Sequence, residues 1–147
     1  MKSFLAICTL FTLLNACGYS NTELNKFETQ IKAYNRKYKL DLNPTGSGLY
    51  LKIDSLGSGR PIQVQDSVWV SYTLKLLSGK IIEMQDQGVG LPLSELIKGW
   101  QEALFNLPVG SQLHCIVPPQ LGYGQGGTDK IGKDKILYFK MKVIDAK

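Results

Sequence analysis

The first regular pattern of apolar residues has the period of an α-helix. Its members are three or four residues apart and share one helical face: Leu24, Phe27, Ile31, Tyr34 and Tyr38. Ser20 and Glu23 have capping-box spacing, so we expect the helix to begin just after Ser20. It should end before residues 43–48, NPTGSG, where proline and glycine break helix and sheet alike and form a hinge.

This apolar stripe must be covered, and the sequence leaves three possibilities open. It packs on its own domain, pairs with a second chain, or lies on a membrane. Trp69 alternates with Val68 and Val70 and so points away from the face that carries Tyr72. Folding back over Trp69 is the expectation if the helix packs on its own domain.

Beyond residue 48 the period changes to alternation, which predicts strands with one buried face. The inward residues of four strands are Leu49, Leu51 and Ile53; Val68, Val70, Tyr72 and Leu74; Leu113, Cys115 and Val117; and Leu137, Phe139, Met141 and Val143. Residues 94–107 form the one helical stretch among them. Strands without regular strand–helix–strand alternation predict an α+β fold, an antiparallel sheet with one short helix packed on it.

The chain opens with the features of a lipoprotein signal peptide. Lys2 is followed by an apolar run at residues 4–14, too short at about eleven residues to span a bilayer. Residues 14–17, LNAC, then resemble a lipobox with Cys17 as the lipid acceptor. We expect a signal peptide at residues 1–16, a lipid-anchored tether and amphipathic helix at 17–46, and a domain at 47–147. The alternative is an ordinary secretory signal followed by a chance cysteine.

Composition adds limits. About 130 residues remain after processing, enough for one domain with its own core. Of the three cysteines only Cys115 is then a free thiol, so no intramolecular disulfide is expected. The 17 basic residues are scattered among 12 acidic ones, which favours a solvated surface over nucleic-acid binding. His114 and Cys115 point to opposite faces of a strand, which favours packing over a metal site.

Two segments in the second half of the chain carry the candidate chemistry. Residues 97–110, IKGWQEALFNLPVG, place Trp100 beside a glycine, and residues 115–127, CIVPPQLGYGQGG, place Tyr123 between glycines. In this order they resemble the FKBP-type peptidyl-prolyl isomerases, and the resemblance extends over roughly residues 48–147. In the family pattern Tyr-x-Gly-x-Leu-x-x-Gly-x-x-Phe-Asp, residues Tyr72, Leu76 and Gly79 match. Three positions depart from its glycine, phenylalanine and aspartate: Leu74, Ile82 and Glu83.

The resemblance implies a pocket for a proline ring. Trp100 would form its floor, and the Ile97 N–H and the Tyr123 hydroxyl would each bind a substrate carbonyl. The residues expected to act in catalysis are Tyr72, Glu83, Ile97, Trp100, Tyr123 and Phe139. Those expected to bind substrate are Ile82, Leu91, Leu96 and Ile131. Glu83 is longer than aspartate and more costly to bury, so it either swings to solvent or fills the pocket.

The implied activity is cis–trans isomerisation of X-Pro bonds that assists the folding of proteins in a Gram-negative cell envelope, with the lipid anchor in the outer membrane and the domain facing the periplasm. No bond is broken in this reaction, so no cofactor or metal is expected. Macrolide binding is implied too, but weakened by the exchanges at residues 82 and 83. The alternative is a catalytically weakened FKBP fold that serves as a chaperone or binding module in a membrane-associated assembly.

Overall fold

The computed structural model describes residues 18–147, and the predicted signal peptide and Cys17 lie outside the described residues. Six antiparallel strands form one sheet in the order β1-β2-β5-β6-β3-β4. This is the predicted α+β class. The elements are α1 (Asn21–Tyr38), β1 (Asn43–Pro44), β2 (Tyr50–Ser55), β3 (Ser67–Leu76), β4 (Ile81–Pro92), α2 (Lys98–Leu104), β5 (Gln112–Val117) and β6 (Leu137–Ala146). No helix in residues 18–147 is long and apolar enough to cross a bilayer.

The main core lies between α2 and one face of the sheet. Alternate residues of β5 and β6 pair in register on this face, with Cys115 opposite Phe139. The helix approaches β5 closely, because a Cβ on Gly99 would lie 2.6 Å from Val117 Cγ1. Only glycine permits that approach. The close approach of α2 to β5 leaves Trp100 only 4% exposed in the main core.

Helix α1 covers the opposite face of the sheet. The capping box forms as predicted, with Ser20 N donating to Glu23 Oε2 at 2.8 Å and Glu23 N donating to Ser20 Oγ at 3.3 Å. Phe27 and Ile31 are buried in a second apolar cluster. That cluster also contains the outward-facing Tyr50 of β2 and Ile116 of β5. The helix therefore packs on its own domain.

The prediction that α1 covers Trp69 is wrong. Helix α1 contacts the β2, β5 and β6 side of the sheet, whereas Trp69 is in β3, next to the edge strand β4. Trp69 instead lies across its cross-strand partner Gly90, where an added Cβ would be 2.6 Å from the indole. Lys147 Nζ lies 5.3 Å from the centre of the Trp69 ring. A glycine on the neighbouring strand provides the room that the tryptophan occupies.

The predicted hinge at residues 43–48 is a fixed turn. Asn43 and Pro44 pair with β2, and Thr45 N donates to Leu49 O at 2.9 Å. The hydroxyls of Thr45 and Ser47 both donate to Glu102 Oε1 of α2, at 2.5 and 2.9 Å. Side-chain bonds to a distant helix thus hold a sequence that would otherwise be flexible.

Other boundaries also differ from the expectation. The edge strand β4 has too many polar and glycine residues for the alternation rule to detect it. Helix α2 has seven residues and is shorter than the predicted stretch at 94–107. Leu93–Glu95 forms a separate 3₁₀ turn before it, and Asn106 after it adopts a positive φ of 60°. Ile53, expected inward, is 42% exposed near the end of β2.

Candidate functional site

A cavity of about 160 Å³ opens where β3, β4 and β6 meet α2. All six residues expected to act in catalysis line it, together with two expected to bind substrate. These eight are Tyr72, Glu83, Leu91, Leu96, Ile97, Trp100, Tyr123 and Phe139. Leu74 and Glu95 complete the lining. Residues that are up to 67 positions apart in the sequence, from Tyr72 to Phe139, therefore face one space.

Two predicted substrate-binding residues do not line the cavity. Neighbouring residues of a strand point in opposite directions, and of Ile82 and Glu83 it is Glu83 that faces the cavity. Ile82 is half-buried and packs against the main core. Ile131 is 4% exposed in that core, and its N–H is bound by Thr128 Oγ1 at 3.0 Å. Both residues therefore belong to the main core and not to the cavity lining.

Three aromatic rings form the closed end of the cavity. Trp100 meets Tyr72 edge-on with ring centres 5.0 Å apart, and meets Phe139 in the same way at 5.3 Å. Such edge-to-face pairs stabilise the arrangement of the rings beyond the effect of burying their surface area. The indole Nε1 of Trp100 is buried without a hydrogen-bond partner in residues 18–147. The closed end is therefore apolar and rigid, with one unused donor.

Polar groups lie at the rim. The Tyr72 hydroxyl donates to Glu83 Oε1 at 2.7 Å. Burial, and then this bond to the carboxylate, raise the pKa of Tyr72, while burial and the Glu83 charge raise the pKa of Tyr123. Both phenols therefore stay protonated at neutral pH. Glu83 is held at the rim by Tyr72, an outcome between the two expected for it, since the residue remains exposed while its side chain lines the cavity.

The loop before α2 is held by a residue that sequence reasoning missed. Gln101 Nε2 donates to Leu96 O at 2.6 Å and to Ser94 O at 3.1 Å. Ile97 is the N-cap of α2, so its position depends on this loop. Gln101 follows Trp100 in the motif, but a polar residue in a short helix has no sequence signal that separates loop binding from solvent exposure.

Tyr123 comes from the long connection between β5 and β6, residues 118–136, which we call the Tyr123 loop. Gly124 and Gly127 adopt positive φ values of 61° and 62°. A Cβ on Gly127 would lie 2.5 Å from Ile131 O. Gly127 N donates to Tyr123 O at 3.0 Å, which closes a tight turn. This geometry leaves Tyr123 39% exposed at the cavity mouth.

The chain is similar in sequence to known proteins. The family model for FKBP-type peptidyl-prolyl cis–trans isomerases matches residues 58–144. A probable FKBP-type isomerase of Haemophilus influenzae is 38% identical over 109 residues, which cover 71% of this chain and 45% of the relative. The isomerase Mip of Coxiella burnetii is 36% identical over 115 residues, 76% of this chain and 50% of Mip. The chain thus spans about half the length of the curated relatives it matches.

Solved structures agree. A Pseudomonas syringae peptidyl-prolyl isomerase structure aligns with a TM-score of 0.74 and 25% identity, covering 88% of this chain and 96% of that one. The Escherichia coli FkpA structure aligns with a TM-score of 0.70 and 24% identity over 86% of this chain and 63% of FkpA, which supports the fold alone. Together with the family match over most of the sheet and α2, these likenesses show that the chain belongs to the FKBP-type peptidyl-prolyl cis–trans isomerase family.

Proposed function

We propose that this chain catalyses cis–trans isomerisation of X-Pro bonds in polypeptides. Rotation about the amide faces a barrier of about 18–20 kcal/mol, and uncatalysed exchange takes tens of seconds or longer. An enzyme needs only to favour the twisted amide, whose carbonyl is less polar than that of the planar form. A thousandfold acceleration requires about 4 kcal/mol. An apolar cavity with few polar groups can supply that.

The observation that carries this proposal is the edge-on packing of Trp100 between Tyr72 and Phe139 at the closed end of the cavity. The proline ring would rest on Trp100, with apolar walls on either side. The Ile97 N–H and the Tyr123 hydroxyl would bind the flanking carbonyls. These two donors come from the two segments that border the cavity, the loop before α2 and the Tyr123 loop.

The cavity size limits the ligands. Pockets for drug-sized molecules usually hold about 300–1,000 Å³, and this one holds about 160 Å³. Leu74, at a glycine position of the family pattern, takes part of the space and is 2% exposed. We infer that the site takes one proline side chain and binds macrolides such as rapamycin only weakly.

A non-catalytic binding module is the second candidate, and the space taken by Leu74 favours it. An isomerisation assay with a prolyl peptide on residues 18–147 separates the two. Catalysis predicts a rate above the uncatalysed one that falls at least tenfold in Phe139→Leu. Phe105→Leu is the matched control, because Phe105 is 52% exposed and does not line the cavity. A wild-type rate equal to buffer would reject the enzyme.

We also propose that a lipid on Cys17 holds the domain at a membrane of a Gram-negative envelope. Gly18, Tyr19 and Ser20 alone separate Cys17 from the start of α1 at Asn21, so the tether between the lipid and the helix would be short. Cys17→Ser should abolish labelling by a radioactive fatty acid and move the protein from the membrane to the soluble fraction. Membrane partition that persists in Cys17→Ser would reject lipid anchoring.

A further inference from the structure

The Tyr123 loop needs support from outside itself. It runs for 19 residues, from 118 to 136, between the end of β5 at Val117 and the start of β6 at Leu137. Five of its residues are glycines: Gly122, Gly124, Gly126, Gly127 and Gly132. Loops of this length and composition have many accessible conformations. A hydroxyl that binds substrate from such a loop is effective only if the loop is held in place.

One outside contact comes from the N-terminal tether. The Tyr19 hydroxyl donates a 2.7 Å hydrogen bond to Asp134 Oδ1, 115 residues away in the sequence. The Tyr19 ring is fixed from the other side by Phe27 of α1, edge-on at 5.1 Å between ring centres. Burial and the Asp134 carboxylate raise the pKa of Tyr19, so the phenol remains a donor at physiological pH. Tyr19 thus links α1 to the loop.

Asp134 passes this contact on towards Tyr123. Its backbone N–H donates to Gly124 O at 2.9 Å, and Gly124 directly follows Tyr123. A Cβ on Gly124 would be 3.9 Å from the Tyr19 hydroxyl, so the two segments lie side by side. Gly18, Tyr19 and Tyr123 also line one shallow groove. Two consecutive hydrogen bonds therefore connect Tyr19 to the residue beside Tyr123.

We propose that Tyr19 and Asp134 are positioning residues for isomerisation: they form a latch that holds the Tyr123 loop over the cavity. This inference rests on the proposed function, since Tyr123 is a substrate-binding residue only if the chain is an isomerase. Tyr19 is two residues after the expected lipid acceptor Cys17. The latch thus lies close in sequence to the expected site of lipid attachment.

A double-mutant cycle tests the latch. Tyr19→Phe removes one hydroxyl and should lower kcat/KM on the order of fivefold, because an imprecisely held Tyr123 binds the substrate less well. In a Tyr123→Phe background the same change should cost less than about twofold, since the group being positioned is absent. Tyr38→Phe, on the exposed side of α1, is the matched control and should leave the rate unchanged. An equal fold loss of kcat/KM from Tyr19→Phe in the wild-type and Tyr123→Phe backgrounds would overturn the proposal.

Asp134 provides the second arm. Asp134→Asn keeps a side-chain oxygen that can accept from Tyr19 and should retain more activity than Asp134→Ala, which should match Tyr19→Phe. Equal rates in the two Asp134 variants would contradict the latch.

Amide hydrogen exchange reads the loop without any substrate. Tyr19→Phe should speed exchange at Gly127 and Asp134 and leave the β5 and β6 amides unchanged. If the wild type shows no isomerase activity, the proposed function fails and the exchange result alone decides whether Tyr19 holds the loop. Unchanged exchange at both amides would overturn the latch.

Discussion

The hydroxyl of Tyr72 and the carboxylate of Glu83 form a 2.7 Å hydrogen bond between β3 and β4 at the cavity rim. The bond uses the only proton of the Tyr72 hydroxyl, so this hydroxyl offers no free donor to a substrate. The Tyr72 ring packs edge-to-face with Trp100. The hydrogen bond also keeps a negative charge beside the mouth. Glu83 thereby orients an aromatic wall.

Breaking this pair should affect catalysis more than folding. Tyr72→Phe keeps the ring but frees Glu83, and Glu83→Gln keeps an acceptor without the charge. We expect kcat/KM to fall several-fold in Tyr72→Phe and less in Glu83→Gln, because the glutamine oxygen still accepts from Tyr72. The free energy of unfolding should change by less than about 1 kcal/mol, since Glu83 remains exposed to water. Prolyl-peptide kinetics and urea unfolding measure both. A larger loss in Glu83→Gln than in Tyr72→Phe would contradict the role of the hydrogen bond.

Enlarging the cavity should improve macrolide binding. Leu74→Ala removes a lining side chain and should raise the affinity for rapamycin, measured by calorimetry, while it lowers the free energy of unfolding by about 2–5 kcal/mol. Leu113→Ala is the control, since Leu113 is equally buried in the main core but does not line the cavity. It should cost similar stability and leave the affinity unchanged. Equal affinities in the two variants would show that Leu74 does not limit access.

The close approach of α2 to β5 should be sensitive to one methyl group. Gly99→Ala places a Cβ 2.6 Å from Val117 Cγ1, and we expect a loss of about 1–3 kcal/mol with a reduced isomerisation rate, because Trp100 moves with the helix. Adding Val117→Ala should restore part of the rate. Gly126→Ala has no heavy atom within 4 Å of the new Cβ and serves as the stability control. A double variant as slow as Gly99→Ala would mean that steric contact is not the cause.

The cover of α1 and the environment of Trp69 should be independent. Ile31→Ala should lower the free energy of unfolding by about 2–5 kcal/mol, because Ile31 is 1% exposed between α1 and the sheet. The folded variant should keep the wild-type emission of Trp69, which does not contact that cluster. Gly90→Val should shift the Trp69 emission, since the added side chain displaces the indole. A red shift of the Trp69 emission in folded Ile31→Ala would indicate that α1 does cover Trp69. Both tryptophans contribute to the spectrum, so each variant is compared in a Trp100→Phe background.

His114 should make stability depend on pH. Burial lowers the pKa of His114 from its ordinary value of 6.5. The Asp54 charge partly opposes this lowering of the pKa, and the charges of Lys52 and Lys140 add to it. Nδ1 lies 3.1 Å from the Tyr138 hydroxyl, and Nε2 lies 3.2 Å from Asp54 Oδ1 without hydrogen-bond geometry. Because the folded pKa is below the unfolded one, the neutral imidazole contributes stability above pH 6.5. That contribution is lost as the pH falls through the folded pKa.

Urea unfolding between pH 7.5 and about pH 5 measures this effect. His114 is the only histidine, and carboxyl groups with lowered pKa values, such as Asp66 and Glu28, titrate below this window. His114→Gln should flatten the profile. Asp54→Asn should extend the loss of stability to lower pH, since it removes the charge that raises the pKa. A slope that survives His114→Gln would assign the pH dependence to another group.

Local sequence determined several features by itself. The start of α1 depends on Ser20 and Glu23, three residues apart, and the buried faces of β5 and β6 follow from alternation. Glycine beside Trp100 and around Tyr123 carries the family resemblance, and the residues at those motif positions line one cavity. These features could be predicted because their causes act between near neighbours or recur as fixed motifs.

Tertiary structure decided what near neighbours cannot determine. The edge strand β4 exists because β3 pairs with it, and the bulges in that pairing accompany the choice of Glu83 rather than Ile82 as the cavity lining. The turn bound by Glu102 and the contact between Tyr19 and Asp134 join residues 55 to 115 positions apart. The face of the sheet that α1 covers was also decided by the tertiary structure. Such contacts depend on how the whole sheet is ordered. The physical reason is that helix and strand periods encode which face of an element is apolar, but not which other element will cover it.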